Sequence, residues 1–309
     1  MASWRKAVED YVELRRHLGF KLLEAKVGLL GFASFLKQRR ATHITIALAM
    51  EWAQQDKAAS PVQQARRLSF VRGFARHWSA QDSRTEIPPY GLLPFRPKRA
   101  HPYLYSGDEI QRLLHAALQL PSVHYPRSLT FHCLLGLLVV SGMRLGEALN
   151  LQTEDVDLKT GILTVRGTKF GKSRLVPIHP STRRVLSDYE TQRDRFLSKR
   201  PVTFFVSSRG TRLDKGEVHR TFYLLSRQVG LRGISDSHGP RLHDFRHRFA
   251  VETLVQWYRS GQDVERRLPA LSTYLGHVHV SDTYWYLSAC PELMGLAVKR
   301  FEDYWEKQS

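Results

Sequence analysis

Apolar residues recur every three to four positions through the first eighty residues. Trp4, Val8, Val12 and Leu18 predict one amphipathic helix, and Leu23, Val27, Leu30 and Phe35 predict a second. A third segment carries Ile44, Leu48 and Trp52. A fourth opens at Ser60-Pro61, a capping residue followed by proline at the first helical position. It continues through Val62, Leu68, Val71, Phe74, Ala75 and Trp78. Four such helices make a small bundle. On the fourth, Arg66, Arg72 and Arg76 fall away from the apolar stripe, as a solvated face or a surface for a polyanion, whereas Arg67 falls within it and the periodicity does not account for it.

The helical rhythm then stops. Pro88, Pro89, Pro94, Pro97 and Pro102, interleaved with Arg96, Lys98 and Arg99, suit neither a helix nor a sheet interior. This stretch predicts an extended basic linker over 83–104, dividing a helical domain (1–82) from a larger one (105–309). The second domain opens with the capping-box pattern Ser106-Gly107-Asp108-Glu109 ahead of Ile110, Leu113, Leu114, Ala117 and Leu118. Residues 129–140 read as a buried helix ending at Ser141-Gly142, followed by a short helix over 144–149. Residues 162–166 and 174–178 have strand composition and flank a glycine-bearing loop, which fits a hairpin. After Phe204-Phe205-Val206 the pattern is helical again. Residues 214–229 put Val218, Phe222, Leu225 and Val229 inward, leaving Lys215, His219, Arg220, Tyr223 and Arg227 outside for solvent or a DNA groove. A last helix, 291–307, aligns Leu293, Leu296, Ala297, Phe301 and Tyr304, a stripe that packs on its own chain or on a neighbouring protomer. The expected class is mostly α with a small antiparallel β-sheet.

Charge narrows the partners. The 309 residues hold 47 Lys and Arg against 29 Asp and Glu, a net charge of +18. The first hundred residues carry 18 against 8 and the rest 29 against 21, so the smaller piece is the more basic per residue. Such a surface attracts phosphate polyanions, nucleic acid before membrane. Residues 129–140 are too short a run to span a bilayer, and Thr130, His132 and Gly136 interrupt it. The opening residues lack the apolar block of a secretory signal, no basic amphipathic terminal segment favours a membrane surface, and Cys133 and Cys290 form no C-x-x-C pair. A reducing cytoplasmic location is expected. His243 and His247 are four apart without the glutamate of an H-E-x-x-H zinc site, and no G-x-x-x-x-G-K-[ST] loop occurs, so neither metal nor nucleotide cofactor is expected.

The positive signal is an ordered set of cationic groups, Arg144, Lys169, His243, Arg246 and His277, followed by Tyr286. Each alone is weak. Three H-x-x-R pairs occur, His124/Arg127, His238/Arg241 and His243/Arg246, and spacing alone does not choose among them. The wording of the chain does. Leu242-His243-Asp244-Phe245-Arg246-His247-Arg248-Phe249-Ala250 resembles the second arginine box of the tyrosine recombinases, the phage integrase family. Residues 141–151, Ser-Gly-Met-Arg-Leu-Gly-Glu-Ala-Leu-Asn-Leu, resemble its first arginine box, and 167–177 its lysine hairpin. Lys169 stands at the family's usual offset before Val176-Pro177, whereas Lys172 matches its second, non-catalytic basic position. Leu275-Gly276-His277 is similar to the Leu-Gly-His box, and the family's nucleophile falls nine residues later, which selects Tyr286 over Tyr284. The resemblance covers about 105–290, with Tyr284-Trp285-Tyr286 leaning toward recombinases of transposon-type mobile elements.

The resemblance implies a helical core-binding (SAM-like) domain ahead of an α+β catalytic domain. It also implies a site-specific DNA recombinase, of integrase or transposase type, that cuts and rejoins duplex DNA through a 3′-phosphotyrosine without metal or ATP. Arg144 and Arg246 would neutralise the phosphorane, since guanidinium forks onto non-bridging oxygens where lysine is only a point charge. Lys169 would protonate the leaving 5′ oxygen, His243 would take or hold the tyrosine proton, and His277 would donate to a phosphate oxygen. Tyr286 would attack, and Glu147 would orient the arginine and histidine side chains. DNA-binding candidates are Arg66, Arg72, Arg76, Arg96, Lys98, Arg99, Lys172, Lys215 and Arg220. Expected partners are double-stranded DNA, a homotetramer on it, and sister recombinases or a DNA-bending accessory protein, in a nucleoid-associated bacterial setting. Two alternatives stand beside this reading. A type IB topoisomerase shares the chemistry but typically carries lysine where His243 stands. A catalytically silent accessory DNA-binding protein would keep the fold without turnover.

Overall fold

A computed structural model describes residues 3–93, 101–121, 127–167, 173–197, 199–236, 238–287 and 290–306, apart from the side chains of Phe301, Asp303 and Tyr304. The chain divides into two units, Met1–Ala100 and His101–Ser309. In the first, α1 (Trp4–His17), α2 (Leu23–Gln38), α3 (Ile46–Gln54) and α4 (Pro61–Trp78) enclose Val8, Leu29, Phe32, Leu36, Val71 and Phe74. Side-chain caps set three of the starts: Ser3 accepts from the Lys6 amide, Thr45 from Leu48, and Ser60 from Gln63 in a reciprocal capping box.

Helix α2 is turned relative to the expected stripe. Leu29, Phe32 and Leu36 face inward, while Val27 is 72 % exposed and Leu23 is also outside. The cause is close approach by α4 and α3. A Cβ on Gly28 would stand 2.9 Å from the Phe70 ring and one on Gly31 3.8 Å from Trp52, so the glycine face takes the large aromatic partners. Arg67, unexplained by periodicity, sits with its guanidinium carbon 4.4 Å from the centroid of the Trp52 ring, a cation–π contact.

Arg72 departs from its expected place with Arg66 and Arg76. It is buried, donating from Nε to the Pro88 carbonyl (2.7 Å) and from Nη2 to Pro89 (2.9 Å), and it lies over the Tyr90 ring. Its role here is to fasten the chain that follows α4. Glu86 does the same, donating from its amide to Ile44 and accepting from the Ile46 amide. The opening part of the segment expected to be linker therefore folds back onto the bundle. Arg66 is exposed and paired with Glu24 of α2, and Arg76 is exposed. Arg96, Lys98 and Arg99 lie outside the described residues.

The second unit begins with α5 (Gly107–Leu118), capped by the Ser106/Glu109 box as expected. Helix α6 (Arg127–Ser141) runs through the core, burying Phe131, Leu134, Leu135, Leu137 and Leu138. After α7 (Leu145–Asn150) and a 3₁₀ turn, β1 (Val156–Asp157), β2 (Ile162–Val165) and β3 (Arg174–Pro177) form an antiparallel sheet in that order, with Leu163 opposite Val176 and Val165 opposite Arg174. The loop between β2 and β3 that carries Lys169 and Lys172 lies outside the described residues.

Helices α8 (Pro180–Phe196), α9 (Lys215–Gln228), α10 (Asp244–Arg259), α11 (Val264–Leu275), α12 (Ser281–Tyr284) and α13 (Pro291–Glu306) complete the unit. On α9, Val218, Phe222 and Leu225 are buried as expected. Helix α13 packs on α10 of its own chain, with Leu293 buried and Glu292 paired with Arg259. Among the described residues, no helix is long and apolar enough to cross a membrane.

Candidate active site

Two turns and one helix start bring the site together. At the end of α6, Gly142 adopts φ +59°, and a Cβ there would meet the Phe249 ring at 2.6 Å. At the end of α11, Gly276 adopts φ +70°, where a Cβ would lie 2.7 Å from Nη1 of Arg174. Only glycine combines this backbone with such close neighbours. The carbonyls so placed hold the arginines. Arg246, in the first turn of α10, donates from Nη1 to Gly142 (2.9 Å) and from Nη2 to Leu275 (2.7 Å). Arg144, at the start of α7, reaches the Gly276 carbonyl at 3.4 Å.

Glu147 binds the arginine cluster together. One carboxylate oxygen accepts from Arg144 Nη1 (2.8 Å) and Arg174 Nη1 (3.1 Å), and the other from the Arg144 amide (3.0 Å) and Arg174 Nη2 (2.8 Å). Burial by itself would raise its pKa. Hydrogen bonding and charge from Arg174, with bonds from Arg144, overcome that and hold the carboxyl at about 2. Among the described residues Glu147 contacts arginines and no histidine, so its orienting part is narrower than expected. Arg174, which the sequence reading passed over, is the buttress, fixed also by donation from Nε to the Tyr274 carbonyl (2.8 Å). Two guanidiniums paired with one carboxylate, with the charge of Arg246 nearby, leave an excess of positive charge suited to a phosphate.

The histidines surround this cluster. His243 stands at the start of α10, in a turn tied by Asp244, whose carboxylate accepts from the Arg241 amide and guanidinium. The ring of His243 reaches solvent, yet loss of hydration on its protein side and the nearby Arg246 hold its pKa below the imidazole norm. His277 follows Gly276. Burial, then Arg246 and Arg144, push it down to about 4. His247, also absent from the expected set, is buried with its ring 4.8 Å from His243 and 5.4 Å from Tyr286, and burial and His243 push it to about 4. Its signal was available, since it lies one turn beyond His243 and beside Arg246. Tyr286 is 3 % exposed and stacks against His277 at 5.9 Å and 19°. Arg246 is 2 % exposed, and burial lowers its pKa to about 10 against the support of the Tyr286 phenol, so it stays charged at neutral pH.

A cleft of about 830 Å3 opens over this arrangement, lined by Arg144, Glu147, His243 and His277, with Lys215, His219 and His279 on its walls. Arg246 and Tyr286 are buried and are not among the residues that line it. Lys215 is thus beside the cationic cluster, while Arg220, one turn along α9, is exposed near Asp214. Among the described residues, no group of three or more His, Cys, Asp or Glu side chains is arranged to hold a metal ion.

Arginines and histidines gathered beside one buried tyrosine on a mostly helical scaffold make a cationic site suited to binding a phosphate. The phage integrase family model matches residues 104–292, and the chain belongs to that family. It is 57 % identical over its whole length, and over the whole of the relative, to the integrase/recombinase y4rB of Sinorhizobium fredii. It is 31 % identical to the tyrosine recombinase XerD of Caulobacter vibrioides over 76 % of this chain and 73 % of that one. The solved structure of the Tn1549 transposon integrase in complex with transposon right end DNA matches with a TM-score of 0.68 at 15 % identity, covering 98 % of this chain and 99 % of that one, a likeness of fold. The mostly α architecture with a small antiparallel sheet is the one expected.

Proposed function

We propose that this protein is a site-specific DNA recombinase that cuts and rejoins duplex DNA through a 3′-phosphotyrosine on Tyr286. The observation that carries the reading is the convergence of Arg144, His243, Arg246, His277 and Tyr286, supplied by four separate stretches of chain, around one cationic cleft. A scissile phosphate in that cleft would meet Arg144 and His277, which line it, close to the buried Arg246. The guanidiniums stabilise the added charge of the pentavalent phosphorane. The Tyr286 oxygen forms the new bond to phosphorus as the bond to the 5′ oxygen breaks. His243, neutral at pH 7, receives the phenol proton, and Lys169 gives one to the departing 5′ oxygen. The energy of the phosphodiester is kept in the phosphotyrosine, so a second 5′-hydroxyl can reverse the step without ATP.

Lys215 beside the cleft and the exposed Arg66, Arg76 and Arg220 are assigned to DNA phosphates, and so are Arg96, Lys98, Arg99 and Lys172. The helical 1–82 region is assigned to core binding and 105–309 to catalysis. A homotetramer on DNA, in a nucleoid-associated cytoplasmic setting, follows from the same reading. The Tn1549 likeness supports a mobile-element role.

The test is covalent trapping with nicked suicide duplexes tiled from the DNA flanking the gene. An SDS-resistant adduct mapped to Tyr286, and lost in Tyr286→Phe with binding retained, supports the mechanism. Tight binding with no adduct on any duplex, even with candidate partner recombinases, would make the protein an accessory DNA-binding factor. An adduct persisting in Tyr286→Phe would remove the tyrosine from its role.

A further inference from the structure

We propose that Thr283 is a positioning residue that fixes which nitrogen of His277 carries its proton and ties that choice to the place of Tyr286. The inference rests on the recombinase reading above. Thr283 is fully buried in α12, and its hydroxyl lies 2.7 Å from Nδ1 of His277. The same residue's carbonyl accepts from the Tyr286 amide at 3.1 Å. One side chain and its own backbone therefore touch the phosphate-facing histidine and the segment bearing the nucleophile. Rings stacked at 5.9 Å keep those two residues side by side.

The chemistry follows from protonation. A neutral imidazole has one donor and one acceptor, and which is which is decided by the partner of the other nitrogen. His277 is pushed to about 4 by burial and by Arg246 and Arg144, so it enters the site neutral. No other partner of the Thr283 hydroxyl is found among the described residues, and this leaves its hydrogen free to point at Nδ1. With Nδ1 accepting, the proton sits on Nε2, the nitrogen available to donate to a phosphate oxygen. The opposite tautomer would present a lone pair to the phosphate and repel it. The hydroxyl thus does for His277 what an orienting carboxylate does for other catalytic imidazoles, without adding a negative charge beside the phosphate.

The experiment compares Thr283→Val, which keeps the shape and removes the hydroxyl, with Thr283→Ser, which restores it. Three readouts are taken: the rate of adduct formation on the nicked duplex that the wild type cleaves, duplex affinity, and nitrogen-15 shifts of His277 in the free protein. Thr283→Val is expected to slow adduct formation about 10- to 100-fold, the usual cost of losing an orienting partner. Affinity, spread over many phosphate contacts, should fall far less than the rate, and the His277 shifts should move toward mixed tautomers. Thr283→Ser should recover both rate and shifts, and Thr283→Val should add no loss in a His277→Phe background. An unaltered rate and shift in Thr283→Val overturns the proposal. So does an equal loss in the Val and Ser variants, or a loss that persists in His277→Phe, either of which marks a packing role. If the wild type forms no adduct at Tyr286, the recombinase reading fails by itself, and the His277 shifts still decide whether Thr283 sets the tautomer.

Discussion

Replacing Glu147 by glutamine tests the electrostatic logic of the site, because it keeps the shape while removing the charge and one of the two acceptor oxygens that Arg144 and Arg174 share. The folded chain holds this carboxyl at about 2 against an ordinary 4.5. That difference corresponds to about 3 kcal/mol favouring the ionised form in the folded state. With Arg174 buried alongside, the variant should lose about 3 kcal/mol of stability at pH 7, the usual cost of stranding one member of a buried pair. The sign of the pH dependence is set by the depressed pKa. The contribution is complete above about 4.5 and disappears as pH falls toward about 2, because the wild-type carboxyl is then protonated too. The assay is urea-dependent hydrogen exchange of the amides in α7 and β3, which reads the second unit alone, at pH 7 and at pH 3. The gap between wild type and Glu147→Gln should be large at pH 7 and shrink at pH 3. A gap below about 0.5 kcal/mol at pH 7, the range of ordinary surface changes, or one independent of pH, would refute the claim that Glu147 anchors Arg144 and Arg174.

Three other expectations can be checked alongside. Arg246→Lys keeps the charge but cannot bridge the Gly142 and Leu275 carbonyls, so adduct formation should fall about 10²-fold or more with duplex affinity nearly kept; equal losses in both would make the residue a backbone clamp only. His247 and His277 are both held at about 4 in the folded chain, so the unfolded chain binds more protons between about 6.5 and 4. Second-unit stability should therefore decline as pH is lowered through that window. The decline should be smaller in His247→Phe, and an identical pH profile in that variant would exclude His247 as a source. Arg72→Ala should destabilise the first unit by about 1–3 kcal/mol by leaving the Pro88 and Pro89 carbonyls unpaired, whereas Arg76→Ala should stay within about 0.5 kcal/mol and instead lower the salt slope of DNA binding by about 0.9 for each phosphate that Arg76 neutralises. Thermal unfolding and binding titrations at two salt concentrations separate them, and an exchange of the two phenotypes would reverse the assignments.

Much of this protein was legible from its residues. Amphipathic periodicity located all four helices of the first unit, the Ser60-Pro61 and Ser106–Glu109 signals marked two helix starts, and strand composition around a glycine loop located the β2–β3 hairpin. These features are local, set by neighbours within four residues or by one tight turn, so a linear reading reaches them. The boxes containing Arg144, Glu147, His243, Arg246, His277 and Tyr286 were legible as family wording. What the reading did not reach depends on partners distant in the chain. Periodicity put Arg72 outside, but two proline carbonyls sixteen and seventeen residues later make its burial favourable. The inward face of α2 was decided by Phe70 and Trp52 pressing on its glycines.

Within the site, the sequence by itself determined which reactive groups the chain possesses and the order in which they come. Only the tertiary structure decided how each is held. Arg246 is fixed by a carbonyl 104 residues before it, Arg144 by one 132 residues after it, and Arg174 by the carbonyl of Tyr274, 100 residues away. A charged side chain survives burial only where acceptors meet it. Those acceptors are backbone groups whose directions come from the turns at Gly142 and Gly276, and no residue's identity announces which distant side chain its carbonyl will face.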